Sequence, residues 1–356
     1  MKQKKLILLF FYHLLFIVLA YQLRVIKGIS DAHFYWAQNF NIAKYSWLDF
    51  ANYGTDFILF LNYPFIKMNF PFWSGFLIYG IIGFFGILKW IQWTELVFTD
   101  KIMFKGINVL YLFFFLPNLH FWTANLGKES LVFYGIAVVF YAMASHQYKS
   151  FSFIVGGLLL LIIRPHVTMM LLFAVVMVEL FENKQSLKKR LLILGTSFLA
   201  LLLLFYMVLQ LTKIKYFNWD RIQRFNDFSI FSFRHSGSYV PMLEHNYLYR
   251  IFALNFRPIF FDAKSFLGYV ASSENMTVLL VCLLGLFFTI KFYSAIHFHN
   301  WIKITFWFTL IASILYVQRY ANLGIFMRTK CMFQPFMLIA LFCIIKQRFI
   351  LNNSKK

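Results

Sequence analysis

Ten apolar runs constrain this chain more than any other feature of its sequence. A helix needs about 20 mainly apolar residues to cross the hydrocarbon core of a bilayer, with a range of about 17–25. The runs approach this length, so we predict an all-α, polytopic integral membrane protein with about ten transmembrane helices in a single domain, 1–356. The predicted spans are residues 6–22, 72–92, 107–119, 130–144, 151–163, 167–181, 191–211, 277–292, 301–317 and 331–345.

The composition excludes several other classes of protein. Hydrophobic residues make up 61% of the 356 residues and charged residues only 13%, whereas soluble domains carry about 25% charged residues. A soluble enzyme, a disordered chain and a nucleic-acid-binding domain are therefore not expected. The three cysteines lie inside apolar runs and form no metal-binding motif, and no Walker-type phosphate loop supports ATP-driven transport.

Basic residues predict which side of the membrane each loop faces, because Lys and Arg are enriched in the short cytoplasmic loops of membrane proteins. The N-terminus, the C-terminal tail and two connections between spans are all basic, and a count of ten spans places them on one side. We therefore predict that both termini are cytoplasmic. The residues of these clusters are Lys2, Lys4, Lys5, Lys101, Lys105, Lys184, Lys188, Lys189, Arg190, Lys346, Arg348, Lys355 and Lys356.

A cleaved signal peptide is the alternative interpretation of residues 6–22. It is disfavoured because no small-x-small cleavage site follows the run. The predicted topology places two long loops, 23–71 and 212–276, outside the membrane. Within the first loop, the apolar run 57–66 is too short to span, and we interpret it as an interfacial or re-entrant segment.

The segment Arg164-Pro-His166 lies between two apolar runs at the predicted outer surface. Pro165 breaks the helix there and frees backbone carbonyl groups. One interpretation of Arg164 is an arginine that only marks the membrane edge. The other, which we favour, is an anion site at the mouth of a cavity, because an outside arginine opposes the usual charge bias.

A second basic segment, 318–330, separates the last two predicted spans. Arg319 and Arg328 flank Gly324 in this segment, and Lys330 precedes the last span. Glycine permits positive φ and close approach of a ligand to the backbone, while the arginine fork suits phosphate oxygens. A solvated hairpin is the alternative for each residue alone, but the set together favours a phosphate site.

The predicted turn 116–130 gathers further polar residues. Asn118 and His120 precede Lys128 and Glu129, which stand at the start of the next span. Glu129 is explained by its favourable position at a helix N-terminus. Lys128 is unfavourable in the same position, which indicates that an anion lies near it.

Asp31 is the first carboxylate of the chain and follows the first predicted span. A carboxylate beside a cationic phosphate site can act as the general base that activates an acceptor hydroxyl. An N-cap that opens an interfacial helix explains Asp31 equally well. In the long outer loop, Arg257 lies among aromatic side chains, which suit sugar rings but also form membrane-interface belts.

Four of these features together resemble a known group of proteins. They are Asp31 after the first span, Leu126-Gly-Lys-Glu-Ser130 opening a span, Arg164-Pro-His166 at a span end and Asn322-Leu-Gly-Ile-Phe-Met-Arg328 before the last span. This layout resembles the bacterial Wzy-type O-antigen and capsule polymerases, including the EpsG-like group, and more distantly the polytopic GT-C glycosyltransferases. The resemblance covers most of the chain as a set of short motifs.

The resemblance implies a substrate and a role for individual residues. In such families the donor is a sugar or oligosaccharide on undecaprenyl phosphate or pyrophosphate, and the reaction takes place on the periplasmic side. Ser30 and Ala32 flank Asp31, so the adjacent acidic pair of many GT-C members is absent, which favours a polymerase. From the residues and the resemblance together we predict Asp31 and His166 as catalytic, Arg164, Arg319, Arg328 and Lys128 as phosphate-binding, and Asn118, His120 and Arg257 as glycan-binding.

We therefore predict an enzyme of the bacterial inner membrane that transfers or polymerises undecaprenyl-linked sugar repeat units at the outer face. A polymerase would need no cofactor, whereas a GT-C transferase would add a divalent metal. The expected partners are the undecaprenyl-linked oligosaccharide, the lipid bilayer and other polysaccharide-assembly proteins, and no nucleic acid. Two other classes stay open: a non-enzymatic flippase, which needs a polar path through the helices, and an acyltransferase that uses His33, His120 or His166.

Overall fold

The computed structural model describes residues 3–28, 30–98, 103–104, 107–182, 186–212 and 218–353. Within these ranges the chain is predominantly α-helical, and a two-residue antiparallel ladder pairs Met103–Phe104 with Ile107–Asn108. The all-α prediction is therefore confirmed for this part of the chain. Several basic residues of the predicted topology lie outside the described residues, namely Lys2, Lys101, Lys105, Lys184, Lys355 and Lys356.

The chain divides into two compact units, Met1–Thr168 and Met169–Lys356. Two 3₁₀ turns, Ile42–Lys44 and Trp47–Phe50, lie between the second and third helices of the first unit. Its helices are α1 (Gln3–Lys27), α2 (Asp31–Tyr35), α3 (Thr55–Lys67), α4 (Phe72–Val97), α5 (Leu110–Phe113), α6 (Pro117–Thr123), α7 (Lys128–Ser145) and α8 (Phe151–Ile163).

Helix α9 (Pro165–Glu182) begins at the end of the first unit and continues into the second. The other helices of the second unit are α10 (Leu187–Thr212), α11 (Trp219–Phe231), α12 (Tyr247–Phe256), α13 (Phe266–Lys291), α14 (Asn300–Tyr316), α15 (Leu323–Lys330) and α16 (Gln334–Asn353).

Five of the described helices, α1, α4, α7, α10 and α13, are long and apolar enough to cross a membrane. The count is six if α15 and α16, which meet at an angle of 62°, together form one broken span. Helices α8 and α9 are also apolar but shorter. A helix satisfies all its own backbone hydrogen bonds, which is why apolar runs of this kind adopt it in a bilayer. The structure thus has the helices of a membrane protein, with fewer of full spanning length than the ten predicted spans.

The predicted span 107–119 is wrong as a single helix. The structure divides it into a strand, the four-residue helix α5 and the start of α6. Pro117 explains the division, because proline has no N–H to donate and disfavours a helical conformation in the residue before it. Leu116 accordingly has φ −59° and ψ 117°, and Pro117 occupies the first turn of α6, where a proline is tolerated.

The two predicted outer loops contain more helix than the sequence indicated. Helices α2 and α3 lie in the first loop, and α3 covers the predicted interfacial run. In the second loop, α13 begins at Phe266, before the predicted start of that span at residue 277. The side chain of Ser265 accepts a hydrogen bond from the Gly268 N–H at 3.2 Å, and this N-cap begins the helix inside a polar stretch.

Helices α4, α6 and α7 pack closely in the first unit because α4 presents glycines to its neighbours. A Cβ atom added to Gly83 would lie 1.9 Å from the backbone oxygen of Thr123 in α6, and one added to Gly86 would lie 2.9 Å from the Cα atom of Tyr134 in α7. Small residues allow this approach of helix backbones, which is a common way to pack helices in membranes.

Replacing Gly83 with alanine should therefore destabilise the first unit. The added methyl group meets a backbone oxygen, which cannot move without displacing α6, and overpacking of this kind costs about 1–3 kcal/mol or more. Gly157→Ala in α8 is a matched control, because a Cβ atom there meets nothing within 4 Å. Thermal unfolding in detergent should show a lower midpoint for Gly83→Ala alone, and equal midpoints for the two variants would contradict the packing.

Candidate functional site

The break between α8 and α9 carries a buried ion pair. Arg164 follows the last residue of α8, and Pro165 begins α9. The guanidinium of Arg164 donates through Nη2 to Oε1 of Glu129 in the first turn of α7. Arg164 is 7% exposed and Glu129 3% exposed. Glu129 thus has the favourable helix position expected from the sequence, and it also balances the charge of Arg164.

Lys128 lies at the same junction, beside Glu129 in sequence. Its ammonium group donates to the hydroxyl of Thr55, at the start of α3, over 2.7 Å. The N–H of Gly54 donates to the carbonyl of Ile162, near the end of α8, over 2.8 Å. The first turns of α3 and α7 and the last turn of α8 therefore meet here. The structure brings together Lys128 and Arg164, two of the four residues predicted to bind phosphate.

The two residues predicted as catalytic are placed differently from each other. Asp31 is exposed at the first position of α2, and Ser30 precedes it as the N-cap residue. His166 is half-buried in the first turn of α9. Their catalytic roles stay predictions.

Asn118 and His120, predicted to bind glycan, are both buried in α6. His120 is fully buried, and its ring contacts that of His13 on α1. The sequence interpretation placed both residues in an outer turn and gave no signal of this contact, because 107 positions separate the two histidines.

In the second unit, Lys330 is fully buried at the break between α15 and α16. Its ammonium group donates to Oδ1 of Asn275 at 2.6 Å and to the carbonyl oxygens of Arg257 and Asn255 at 3.0 and 3.4 Å. Those carbonyls belong to the C-terminal end of α12, where a positive charge is favourable. Gln334 also donates to the Asn255 carbonyl. Lys330 therefore joins three helices, a role that its place before the last predicted span did not indicate.

Arg257, predicted to bind glycan, lies one residue beyond α12 in a network of its own. Its Nη2 atom forms an ion pair with Oδ1 of Asp262, and its Nε atom donates to Oδ2 of the same carboxylate at 3.0 Å. Its Nη1 atom donates to the hydroxyl of Tyr249 at 3.2 Å. Burial alone would raise the pKa of Asp262. The hydrogen bonds from Arg257 and the Ile259 N–H, with the charge of Arg257, instead hold this pKa below its usual range.

The Asp262 carboxylate should stabilise the fold in a pH-dependent way. Its folded pKa is below its unfolded value of about 3.9, so its contribution is fully present above about pH 4 and is lost as the pH falls through the folded pKa. Asp262→Asn should therefore lower the unfolding midpoint at neutral pH, with a difference from wild type that shrinks below about pH 4. Asp220→Asn, at an exposed position of α11, is the control. A difference that grows towards acid pH would contradict the ion pair.

Arg319 follows the end of α14 and differs from the other arginines of the predicted site. Its guanidinium lies over the ring of Phe225 of α11, 4.1 Å from the ring centroid. Its Nε atom is buried and donates to no acceptor among the described residues. Burial lowers the pKa of Arg319, while the phenol groups of Tyr320 and Tyr316 oppose the shift. The guanidinium is thus a partly desolvated cation that lies on an aromatic ring, and its Nε–H forms no hydrogen bond with the described residues.

An apolar cleft of about 410 Å³ lies between α9, α10 and α14 in the second unit. Every side chain that lines it is apolar, and Leu315 of α14 is one of them. Arg319 follows Leu315 by four residues, which is about one helical turn. Arg319 itself lies three residues beyond the end of α14 and is not among the residues that line the cleft. Other lining residues are Met169, Phe173, Leu201, Phe205 and Ile311.

Arg328, the last residue predicted to bind phosphate, is half-buried in the final turn of α15. The predicted glycine-containing turn around it is instead this helix, and Gly324 has no positive φ. The side chain of Asn322 accepts a hydrogen bond from the Ile325 N–H at 3.2 Å and caps the helix. An asparagine before an apolar run is an N-cap signal in the sequence, and it predicts a helix here in place of the turn.

Arg319 and Arg328 belong to the second unit, and Lys128 and Arg164 belong to the first. Within the described residues, no group of three His, Cys, Asp or Glu side chains is arranged to hold a metal ion. No family model, curated protein or solved structure matches the chain.

Proposed function

We propose that this chain is a multipass enzyme of the bacterial inner membrane that transfers or polymerises sugar units carried on undecaprenyl phosphate or pyrophosphate. One observation carries the proposal: α14 contributes Leu315 to the apolar cleft, and Arg319, three residues beyond the end of this helix, has an Nε atom with no acceptor among the described residues. An apolar cleft and a partly desolvated cation on the same segment suit an amphiphile with a long hydrocarbon tail and an anionic head.

A polyprenyl phosphate has both of these features. Its tail can pack by van der Waals contacts in a cleft that is apolar throughout, the kind of contact that drives association inside a bilayer. Its phosphate accepts charge-assisted hydrogen bonds from a guanidinium, whose planar fork matches phosphate oxygens. Arg319 is poorly solvated, so an anion that pairs with it would relieve part of the cost of its burial.

The proposed reaction forms one glycosidic bond and breaks one bond to phosphate. A hydroxyl oxygen of the acceptor sugar attacks the anomeric carbon of the donor, and the bond from that carbon to the phosphate oxygen breaks. The leaving (pyro)phosphate stays on its undecaprenyl chain, and the hydroxyl proton passes to a base. Arg319 would stabilise the negative charge that develops on the leaving phosphate. Arg328 is the further candidate for this role within the second unit.

We propose for the whole chain the topology predicted from the sequence, with about ten spans and both termini cytoplasmic. In that topology α14 runs outwards, so that Arg319 lies on the extracytoplasmic side, where a lipid-linked donor would be presented. For ten spans, the shorter helices α8, α9 and α14, the broken segment 107–119 and the bent pair α15 and α16 would cross the bilayer together with the five longer helices. Cysteines introduced at Arg319 and at Lys188 should react with impermeant reagents from opposite sides.

Filling the cleft tests the proposed function. Leu201→Trp places an indole in the cleft, whereas Leu203→Trp adds the same bulk to an exposed position of α10 outside its lining. In liposomes supplied with an undecaprenyl-pyrophosphate oligosaccharide, Leu201→Trp should reduce sugar transfer about tenfold, a loss of about 1.4 kcal/mol. Leu203→Trp should retain it.

Equal transfer by the two variants would contradict a lipid tail in the cleft. The same liposomes distinguish the non-enzymatic alternative, because a flippase would move a fluorescent lipid-linked oligosaccharide across the bilayer without elongating it. Movement without elongation by the wild-type protein would therefore contradict the proposed enzyme.

A further inference from the structure

Two histidines meet in the interior of the first unit. His13 lies near the middle of α1, the first helix of spanning length, and His120 lies in α6. Both are almost completely buried. Their Nδ1 atoms are 3.0 Å apart, which is the usual distance between the donor and the acceptor of a hydrogen bond.

The other ring nitrogens determine which atoms carry protons. Nε2 of His13 is 2.9 Å from the carbonyl oxygen of Gly80 in α4. Nε2 of His120 is 2.8 Å from the carbonyl oxygen of Phe114. A carbonyl oxygen only accepts hydrogen bonds, so both Nε2 atoms must carry a hydrogen and donate it.

A neutral imidazole carries one N–H. If both rings were neutral, each would place its hydrogen on Nε2, and two Nδ1 lone pairs would face each other at 3.0 Å. The contact becomes a hydrogen bond when one Nδ1 is protonated, which gives the pair three N–H groups and a charge of +1. We infer that His13 and His120 bind one additional proton between their Nδ1 atoms and so form a proton-binding site inside the first unit.

A buried charge is costly in a membrane protein, and three features of the surroundings offset the cost. The charge is shared between two rings, and both rings donate to carbonyl oxygens. Aromatic rings also surround the pair, and the face of such a ring attracts a cation. The ring of Tyr12 is centred 4.8 Å and that of Phe16 5.9 Å from the His120 ring, and Phe84 is centred 5.6 Å from the His13 ring.

The groups that face the pair supply no counter-charge. From α1 the titratable neighbour is Tyr12, whose hydroxyl donates to the Phe115 carbonyl at 3.0 Å. Helix α4 contributes the Gly80 carbonyl and the Phe84 ring, and the segment before α6 contributes the Phe114 carbonyl. Among the described residues neither histidine forms an ion pair with a carboxylate. No neighbouring carboxylate therefore neutralises the bound proton, and the fraction of pairs that hold it depends on the pH.

Release of the proton would change the packing of α1. Without it the two lone pairs repel each other, so one ring must turn away and lose its carbonyl acceptor. The contact between α1 and α6 is consequently strongest at low pH and weakens as the pH rises through the release of this proton. The inference does not rest on the proposed sugar-transfer function.

Nitrogen NMR tests the proton count directly. The full-length protein, with ¹⁵N-labelled histidine and in lipid nanodiscs, should show on acidification, where the additional proton is bound, a pair of rings with three protonated nitrogens and one unprotonated nitrogen. A scalar coupling across the Nδ1–H···Nδ1 bond should link the two rings. His13→Gln and His120→Gln should each remove the coupled signals. His297→Gln is the control, because His297 and His299 are also neighbours but are exposed.

Two protonated and two unprotonated nitrogens in the pair at every pH at which the protein stays folded, or no coupling between the rings on acidification, would overturn the inference. If His13→Gln or His120→Gln fails to fold, the spectra of the wild-type protein and of His297→Gln still test whether the pair binds the proton. A coupled signal with three protonated nitrogens that survives in His297→Gln supports the proton site, and its loss in that variant contradicts it.

Discussion

Replacing Glu129 with alanine should destabilise the protein by about 3–5 kcal/mol, the range for breaking one side of a buried ion pair. The change removes the carboxylate that balances the Arg164 guanidinium, while Arg164 itself stays 7% exposed between α8 and α9. It also removes a negative charge from the first turn of α7, where such a charge is favourable. Both effects act at the junction that joins α3, α7 and α8.

Chemical or thermal unfolding in detergent measures this loss, and a double variant shows its origin. Glu129→Ala combined with Arg164→Ala should be less destabilised than the sum of the two single variants, because the second change removes the unbalanced charge left by the first. Glu244→Ala, at an exposed position of the second unit, should have little effect. A Glu129→Ala protein as stable as Glu244→Ala would show that the ion pair contributes nothing.

Replacing Arg319 with alanine should reduce sugar transfer about 10²–10³-fold, the range for removing one group that stabilises transition-state charge. Stability should change little or rise, because the variant loses a partly desolvated cation that has an unused donor at Nε. A loss of transfer without a loss of stability distinguishes a phosphate-binding role from a structural one. If Arg319 were structural, Arg319→Ala would lower transfer and stability together.

Arg234→Ala is the matched control for Arg319→Ala. Arg234 also lies over a phenylalanine ring, that of Phe231 at 5.5 Å, but it is exposed. Its removal should leave transfer unchanged. Arg319→Lys should show intermediate activity, because lysine retains the charge without the planar fork. Full transfer by Arg319→Ala would contradict the assignment, and equal losses in Arg319→Ala and Arg234→Ala would show that only the loss of a surface charge matters.

The positions of most helices could be predicted from the sequence, since apolar runs of the right length have few alternatives in a bilayer. The ends of the helices were harder to place, because single capping residues determine them. Ser265 begins α13 within a polar stretch, and Asn322 begins α15 where a turn was predicted. Pro117 divides a run that hydrophobicity alone treats as continuous.

The partners of the charged residues could not be predicted, because they come from distant parts of the chain. Arg164 pairs with Glu129, 35 residues earlier, and Lys330 donates to carbonyls more than 70 residues away. A sequence shows that such a charge lies next to apolar runs, but not whether a carboxylate or a helix end balances it. Arg319 is the predicted phosphate ligand for which the structure adds an unused donor at Nε, and the preceding helix α14 contributes to an apolar cleft.

The affinity of the purified protein for two lipids that differ only in their head group is the most direct measurement of the proposed site. Wild-type protein should bind undecaprenyl phosphate more tightly than undecaprenol. Arg319→Ala should bind undecaprenyl phosphate about tenfold more weakly or worse, and should bind undecaprenol as the wild-type protein does. This is the loss expected for one charge-assisted hydrogen bond. Equal affinity of the wild-type protein for both lipids, or unchanged phosphate binding by Arg319→Ala, would contradict a lipid-phosphate site at the cleft.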